Sequence, residues 1–418
     1  MKKDHSWTVR YTLINVTYFI AFCTIHAYAA VYLLDRGFTN TQIGIVLALS
    51  NVVSALLQPL VAALIDKQGF FTNRNVMMIC AALIAAGSLL LLFADSVKAV
   101  VFIVFSFIYM VQFTYMPVMT ALNFEYKRAG INIFYGLARG LGSAGFAVTS
   151  AIIGKVIEMR GVRVLLYCNV VIMLVQFVII WFFRLPKTLS EGEIKTGPDA
   201  VSQDGPEQMK AENGKGNIIQ FFRKYPAFMV LIIATVLLFF THNMLNDYLI
   251  QIIRPLGGTE SNMGVATFIA ALLELPTMAI ITLISGKVSK RLPLIISGIS
   301  FTIKALIMMF AVNIPMAYLS QAMQMFAYAV FIPASAYYVS ETMSEHDQVK
   351  GQAFVTSSFT LAGVFSSLIC GVILDRFGEG TMLAVGSVVS IIGTLTLAFA
   401  MLKDKRTIPD AGKSVSKT

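Results

Sequence analysis

The sequence predicts an all-α polytopic membrane protein, with twelve transmembrane helices in two six-helix bundles around a central cavity. Of its 418 residues, 57% are hydrophobic and 13% are charged, whereas soluble proteins carry roughly a quarter charged residues. The mean hydropathy is +0.75. Twelve apolar runs, each long enough for a helical crossing of about 20 residues, fall into two groups of six around one polar segment.

The apolar runs give the order of the predicted helices. The first six cover residues 11–34, 41–66, 75–94, 97–122, 133–157 and 163–184, and the last six cover residues 226–253, 262–288, 291–311, 314–340, 351–374 and 378–402. The segment between them is rich in charge, Gly and Pro, which is typical of a flexible tether. We therefore expect an N-terminal bundle (1–184), a cytoplasmic linker (185–224), a C-terminal bundle (225–403) and a cytoplasmic tail (404–418).

The distribution of basic residues predicts the orientation in the membrane. If both termini and the linker are cytoplasmic, 23 of the 32 Lys and Arg residues lie on that side and 7 lie outside, as the positive-inside rule requires. Lys2, Lys3 and Arg10 lead straight into the first span without a small-residue cleavage site, so no cleavable signal is expected. We expect a multi-pass protein of the plasma membrane.

Composition also excludes several classes of protein. The net charge of +10 does not indicate nucleic acid, because the basic residues lie in loops between spans, where they attract anionic lipid headgroups. The four cysteines lie inside spans without a C-x-x-C pair, which predicts neither a disulfide framework nor a metal site. No nucleotide loop or nucleophile elbow is visible. We expect a monomer that is not an enzyme and has no cofactor.

One charged residue lies inside the fifth span, at 133–157. An arginine at bilayer depth, here Arg139, costs between about 3 and 10 kcal/mol unless it faces a bundle interior or water. Glycines at 136, 140, 142, 145 and 154 flank it and allow close helix packing. This helix is therefore predicted to form a wall of a polar cavity.

A short repeat relates the two halves of the chain. GKVIEMRG (154–161) ends the fifth span and GVILDRFG (371–378) ends the eleventh. The matching positions are Gly154 and Gly371, Glu158 and Asp375, and Gly161 and Gly378. Two related bundles predict a substrate site near the bilayer midplane, between the halves.

The chain resembles the major facilitator superfamily, and within it the oligosaccharide:proton symporters of the lactose permease group. Residues 44–69 resemble the helix 2 signature of that group at Gly44, Ser50, Ser54, residues 57–60, Asp66 and Lys67. Residues 135–139 resemble its helix 5 motif, and residues 297–304 resemble its helix 9. The resemblance implies alternating access, and a cytoplasmic gate that would include Asp66, Arg74 and Glu125.

The same resemblance implies roles for single residues. Arg139 matches the arginine that hydrogen-bonds sugar in the permease, Phe146 replaces the tryptophan on which the sugar ring stacks, and Lys304 stands at the helix 9 arginine. The helix 8 acid is displaced by one turn to Glu274, the helix 4 acid is missing, and Gln324 and Ala327 replace the helix 10 histidine and glutamate. The run from Glu274 to Pro276 resembles the related nucleoside and aromatic-acid permeases.

Two residues are candidates for proton coupling. Glu274 lies in the middle of an apolar span, where a carboxylate without a supporting cation or water becomes protonated. Pro276, just after it, frees a carbonyl and can act as a hinge. The alternative for Glu274 is a static ion pair with Lys304. His26, in the first span, belongs to a residue type that titrates near neutral pH; its alternative is a packing role.

Further polar residues are candidates for binding the solute. Tyr109 and Gln112 share a face of the fourth span, Asn243 and Asn246 lie on the seventh, and Gln324 lies on the tenth. Such groups can hydrogen-bond a polar solute, although the alternative for each is packing between helices. Lys304 and Arg139 have the same two alternatives, substrate binding or structural pairing.

We therefore expect a secondary active transporter, a proton-coupled symporter of a small polar solute such as a sugar or oligosaccharide. Its partners would be the solute, protons and the lipid bilayer, with no nucleic acid. One alternative is a permease for nucleosides or for aromatic or organic acids. Another is a sensor that binds solute without transporting it, against which the lack of an output domain in the linker argues.

Overall fold

The structure is a computed structural model that describes residues 2–67, 69–184, 218–284, 289 and 291–403. Every regular element within these ranges is helical, which confirms the predicted all-α class. Residues 185–217 of the predicted linker and the whole predicted tail, 404–418, lie outside the described residues. The domain boundaries proposed from the sequence stay a prediction.

Seven helices build the first half of the molecule. They are α1 (Lys2–Phe22), α2 (Ala29–Asp35), α3 (Asn40–Asp66), α4 (Asn73–Ala94), α5 (Lys98–Arg128), α6 (Tyr135–Arg160) and α7 (Val164–Phe182). A π-helical turn, Cys23–Ala27, joins α1 to α2. The start of α3 is set by a capping box, in which Thr39 and Gln42 satisfy each other's backbone N–H groups.

Eight helices follow in the described part of the second half. They are α8 (Ile218–Lys224), α9 (Pro226–Asp247), α10 (Leu249–Ile253), α11 (Glu260–Ile284), α12 (Leu292–Met309), α13 (Ile314–Ala322), α14 (Tyr328–Thr342) and α15 (Glu345–Lys403). Short 3₁₀ turns lie at Arg254–Leu256 and Met323–Met325. Helix α8 covers the end of the predicted linker. It is held there by its phenylalanines, which pack on Phe228 and Phe354.

These helices make twelve crossings, as the sequence predicts. Within the described ranges, ten helices are long and apolar enough to cross a membrane. One of them, α15, has 59 residues, a length of about 90 Å at 1.5 Å per residue, and is divided at Gly378, whose φ of 79° is not helical. It therefore supplies two crossings. Helices α13 and α14, joined by the 3₁₀ turn, supply one more.

The helices pack as two groups that meet along two seams. In the first group α6 packs on α1, and α4 packs on α5 and α7; in the second, α15 packs on α9 and α12. Between the groups, α6 packs on α11 and α3 packs on α15. We call these contacts the α6–α11 seam and the α3–α15 seam. We infer that the two groups line a space enclosed between the seams.

Glycines bring the backbones of the two groups into contact along both seams. A Cβ atom at Gly44 would lie 2.1 Å from the carbonyl oxygen of Ser367, and one at Gly264 would lie 2.2 Å from that of Ser150. Gly154 and Gly371 are equally close to the opposing backbone, at 2.3 and 2.5 Å. Any side chain at these four positions would force the seams apart.

Two carboxylates then cap helices of the opposite group. Asp375 accepts hydrogen bonds from the backbone N–H groups of Asn40 (3.0 Å) and Thr41 (2.7 Å) and from the Asn40 amide (2.9 Å). Glu158 accepts one from the backbone N–H of Ser261, at 2.9 Å. Negative groups stabilise the N-terminus of a helix, here those of α3 and α11. The residues paired by the sequence repeat thus occupy equivalent places in the two seams.

The two ends of the molecule differ in how they are closed. At one end, the contacts of the two seams hold the groups of helices together. Asp95 forms ion pairs with Arg36 and Arg163 at this end, which we call the Asp95 end. Glu125 marks the opposite end. Among the described residues, the hydrogen bonds between the groups join the segments near the Asp95 end. We infer that the enclosed space opens toward the Glu125 end.

Candidate functional site

Three polar side chains form a chain of hydrogen bonds inside the second group of helices. The Lys304 ammonium donates to Oε1 of Gln324 (2.6 Å), and Nε2 of Gln324 donates to Oε1 of Glu274 (2.8 Å). The Gln324 amide supplies one donor and one acceptor, so it matches a cation on one side and a carboxylate on the other. Lys304 and Glu274 are not in direct ion-pair contact; Gln324 separates them.

The break between α13 and α14 places Gln324 in this position. Gln324 lies in the 3₁₀ turn Met323–Met325, three residues after which α14 begins at Tyr328. Non-helical backbone at membrane depth is tolerated where protein buries it or where it lines a cavity. The sequence contains no Gly or Pro in this turn, and we have no sequence signal that would have predicted it.

Lys304 is the most deeply buried residue of this hydrogen-bonded chain. It has 0% exposed surface, and Gln324 has 3%. Ser320 also donates to the backbone carbonyl of Lys304. In this conformation Lys304 reaches the space between the groups only through Gln324. Its predicted role in substrate binding stays a prediction, and the direct salt bridge considered as an alternative is not formed.

Arg139 contributes a cation from the first group of helices. One guanidinium nitrogen donates to Ser143 Oγ at 2.7 Å, and the guanidinium carbon lies 4.1 Å from the centre of the Phe19 ring. It makes no salt bridge with a described carboxylate. Most of its five donors are therefore left for another ligand.

An aromatic wall lies beside Arg139, built from Phe22, His26, Tyr109, Phe113 and Phe146. His26 stacks on Phe22, with centroids 3.9 Å apart, and lies 3.8 Å from Tyr109. Phe146 lies 6.4 Å from Phe22. His26 belongs to the π-helical turn, a feature often found at functional sites.

His26 has unused hydrogen-bonding capacity within this wall. Neither ring nitrogen makes a hydrogen bond of normal geometry with a described residue, although the Gln112 side chain lies nearby. Gln112 has 0% exposed surface and donates to the Ala21 carbonyl at 3.3 Å. The predicted roles of His26 in proton coupling and of Tyr109 and Gln112 in solute binding stay predictions.

The polar residues of α9 face two different neighbours. Asn246 hydrogen-bonds His242 at 3.1 Å, and His242 stacks on Tyr328 with centroids 4.9 Å apart. Asn243 and Asn246 are partly or largely accessible, and their role in solute binding stays a prediction. Asp247, which sequence reasoning did not include among the site residues, accepts a hydrogen bond from Ser367.

The predicted gate residues do not contact one another in this structure. Arg74 donates to the backbone carbonyls of Ile180 (3.0 Å) and Trp181 (2.8 Å) in α7. Glu125 accepts from Asn73 at 2.8 Å. Asp66 is exposed. A gate formed by these side chains would have to assemble in another conformation, and their gating role stays a prediction.

The comparison with protein families decides the class of protein. A family model described as the MFS_1 like family matches residues 9–385. The chain belongs to this family of the major facilitator superfamily. It is therefore a membrane transporter and not an enzyme, and the superfamily resemblance noted in the sequence is confirmed.

Individual relatives of this MFS protein agree with that result. The maltose permease of Geobacillus stearothermophilus is 25% identical over 394 residues, with 93% of each chain covered. The structure of the nucleoside transporter NupG is similar with a TM-score of 0.76 at 13% identity, covering 96% of this chain and 100% of that one. A bacterial homologue of the lysosomal transporter Spinster, inward-facing and unoccupied, gives 0.66 at 12% identity, with 96% and 97% covered.

Proposed function

We propose that this MFS protein is a proton-coupled symporter that takes up a sugar or oligosaccharide. The observation that carries the proposal is the hydrogen-bonded chain from Lys304 through Gln324 to Glu274, together with an Arg139 that pairs with no carboxylate among the described residues. Arg139 has donors for sugar hydroxyl oxygens, and the aromatic wall offers a face for a sugar ring. The similarity to a maltose permease over nearly the whole chain favours a sugar.

Glu274 would carry the coupling proton in this scheme. When it is ionised, its charge is balanced by Lys304 through Gln324 and by Arg139. When it is protonated, Lys304 and Arg139 lose this counter-charge, and Arg139, which is not paired with Glu274, would bind the solute through its unused donors. A proton moving inward gains about 2.3 kcal/mol per 100 mV, which can drive accumulation of the solute. Proton and solute shift the conformational equilibrium only as far as they bind one state better.

Access would alternate by rocking of the two groups of helices about the site. Movement to the other state requires the seam contacts to separate at the Asp95 end and the Glu125 end to close. With the Glu125 end in the cytoplasm, as the distribution of basic residues indicates, the conformation described here is inward-open. We propose the same orientation for the chain in the plasma membrane, with both termini cytoplasmic and the protein acting as a monomer.

Uptake into proteoliposomes tests the assignment of Glu274. Glu274→Gln keeps the shape of the side chain but cannot release a proton, so we expect loss of maltose accumulation driven by a proton gradient and retention of maltose exchange. Glu345→Gln, at an exposed glutamate, is the matched control and should behave like wild type. Accumulation at the wild-type rate by Glu274→Gln would remove the coupling assignment.

A nucleoside permease is the second candidate. It is favoured by the run from Glu274 to Pro276 and by the similarity of the fold to NupG. Competition of maltose, uridine and benzoate for the same purified protein separates the candidates. Displacement of bound sugar by sugars alone supports the first proposal, whereas binding of uridine without binding of sugar would establish the second.

A further inference from the structure

A second polar cluster lies on the other seam, where α3, α9 and α15 meet. The single O–H of Ser367 is shared between two acceptors, Oδ2 of Asp247 at 3.1 Å and the carbonyl oxygen of Gly363 at 2.8 Å. The amide nitrogens of Asn243 and Asn51 both point toward Gly363, since a Cβ there would lie 3.4 and 3.8 Å from them. This cluster combines residues from both groups of helices.

The cluster has hydrogen-bonding capacity that the protein does not use. Within the part of the chain that the structure describes, Oδ1 of Asp247 accepts no hydrogen bond and the side-chain amides of Asn51 and Asn243 have no partner. Each amide supplies two donors and one acceptor. All three residues keep part of their surface accessible. Polar groups that only join helices would be paired with each other, so these groups are available to a ligand.

Asp247 also lacks a cation. Among the described residues, no Lys, Arg or His lies within ion-pair distance of it, and the ion pairs that do form lie elsewhere. A carboxylate at this depth without a partner is costly and marks a functional site by default. Gly363 leaves open the space beside it, which a larger side chain would fill.

We propose that Asp247, Asn243 and Asn51 form a subsite for a second sugar ring, so that the solute is a disaccharide or longer. This rests on the sugar symport proposed above. A carboxylate oxygen accepts from a sugar hydroxyl, and an amide both donates to and accepts from the hydroxyls beside it. Arg139 and Glu274 lie on the helices of the α6–α11 seam, whereas the cluster around Asp247 lies at the α3–α15 seam. A solute that contacts both must extend across the cavity.

Ser367 is a positioning residue in this arrangement. Its hydroxyl fixes Oδ2 of Asp247, and its backbone carbonyl accepts from Tyr248 at 2.5 Å in the close approach to Gly44. The orientation of Asp247 is therefore tied to the seam itself. Ser367→Ala should weaken disaccharide binding less than Asp247→Asn, because it frees the carboxylate without removing it.

Calorimetric titration of the purified full-length protein with maltose and with glucose tests the subsite. We expect Asp247→Asn to weaken maltose binding by about tenfold, which is about 1.4 kcal/mol, and to change glucose binding by less than about twofold. Asn243→Ala gives a second variant with the same expected pattern, should Asp247→Asn fold poorly. Glu379→Gln, at an exposed carboxylate, is the control and should leave both affinities unchanged.

The outcomes separate this inference from the proposed function. An equal loss of maltose and glucose affinity in Asp247→Asn, or no loss of either, would overturn the subsite while sugar binding by the wild type stands. If the wild-type protein binds neither sugar but binds uridine, sugar symport falls and the subsite falls with it. A preference of the wild type for maltose over glucose that both variants abolish supports the subsite.

Discussion

Removing the Asp375 cap should shift the protein toward the state that is open at the Asp95 end. Asp375 accepts three hydrogen bonds from Asn40 and Thr41, two of them from backbone groups at the start of α3. Asp375→Asn keeps one acceptor oxygen, removes the charge and places an NH₂ group against one of the donors. A hydrogen bond to a charged group contributes about 1.5–3 kcal/mol, and the attraction to the helix terminus about 0.3–1 kcal/mol.

The exposure of Asp375 reduces these values, because solvent screens exposed charges. We therefore expect Asp375→Asn to change the free-energy difference between the two states by about 1–2 kcal/mol, which is about a 5- to 30-fold shift in their equilibrium. Glu158 makes a single hydrogen bond, to Ser261, and Gln can still accept it. Glu158→Gln should therefore shift the equilibrium by about twofold to fivefold.

Distance measurement between spin labels reports this shift. Ser96→Cys and Arg376→Cys place one label on each group of helices, because both residues are exposed at the Asp95 end. The four native cysteines are replaced in the same protein, so that only these two sites are labelled. We expect a longer-distance population that grows in the order wild type, Glu158→Gln, Asp375→Asn. Glu379→Gln is the control. An unchanged distance distribution in Asp375→Asn, or a larger effect of Glu158→Gln, would refute the reasoning.

Three further predictions concern other contacts. Gly264→Ala would place a Cβ 2.2 Å from a backbone oxygen, so the same label pair should report opening at the Asp95 end, and an unchanged distance would contradict the close approach. Gln324→Leu leaves the buried Lys304 ammonium without its acceptor, and should cost about 1–3 kcal/mol, seen as a lower melting temperature; a melting temperature equal to wild type would count against the bridge. The hydrogen bond from Arg163 lowers the pKa of Asp95 in the folded protein. The ionised Asp95 carboxylate therefore stabilises the fold fully above the unfolded-state pKa of about 3.9. This stabilisation is lost as the pH falls through the lower pKa of the folded state. Asp95→Asn should thus be less stable than wild type at pH 7 and close to it at the most acidic pH at which both fold; a difference independent of pH would contradict this.

Hydropathy predicted the crossings of this protein well, because a helix in lipid must satisfy its own backbone and therefore reads as a long apolar run. It missed the interruptions. The π-helical turn at Cys23–Ala27 and the 3₁₀ turn at Met323–Met325 contain no Gly, Pro, Asn, Asp or Ser that would have marked a break in these apolar runs. Such breaks are stabilised by contacts with neighbouring helices, which a single sequence does not show.

The sequence named the residues of the hydrogen-bonded chain, but not the contacts between them, and their functional roles stay predictions. Arg139, Glu274 and Lys304 were chosen as candidates because charged residues inside membrane spans are rare outside functional sites. The Gln324 bridge depends on contacts between separate helices and could not be read from spacing. Asn51 was overlooked, although it lies seven residues after Gly44 and so on the same face of α3. The repeat between Glu158 and Asp375 did mark residues that close the seams.

The seams between the two groups close largely through main-chain atoms. Four glycines admit the opposing carbonyls, and the caps on α3 and α11 bind peptide N–H groups. Main-chain recognition of this kind is blind to the side chains that line the interior. Solute preference and conformational switching thus depend on largely different atoms, with Ser367 as a shared residue, because its carbonyl lies in the seam and its hydroxyl contacts Asp247. Lining residues other than Ser367 can be exchanged to change solute selectivity while the contacts that close the seams stay the same.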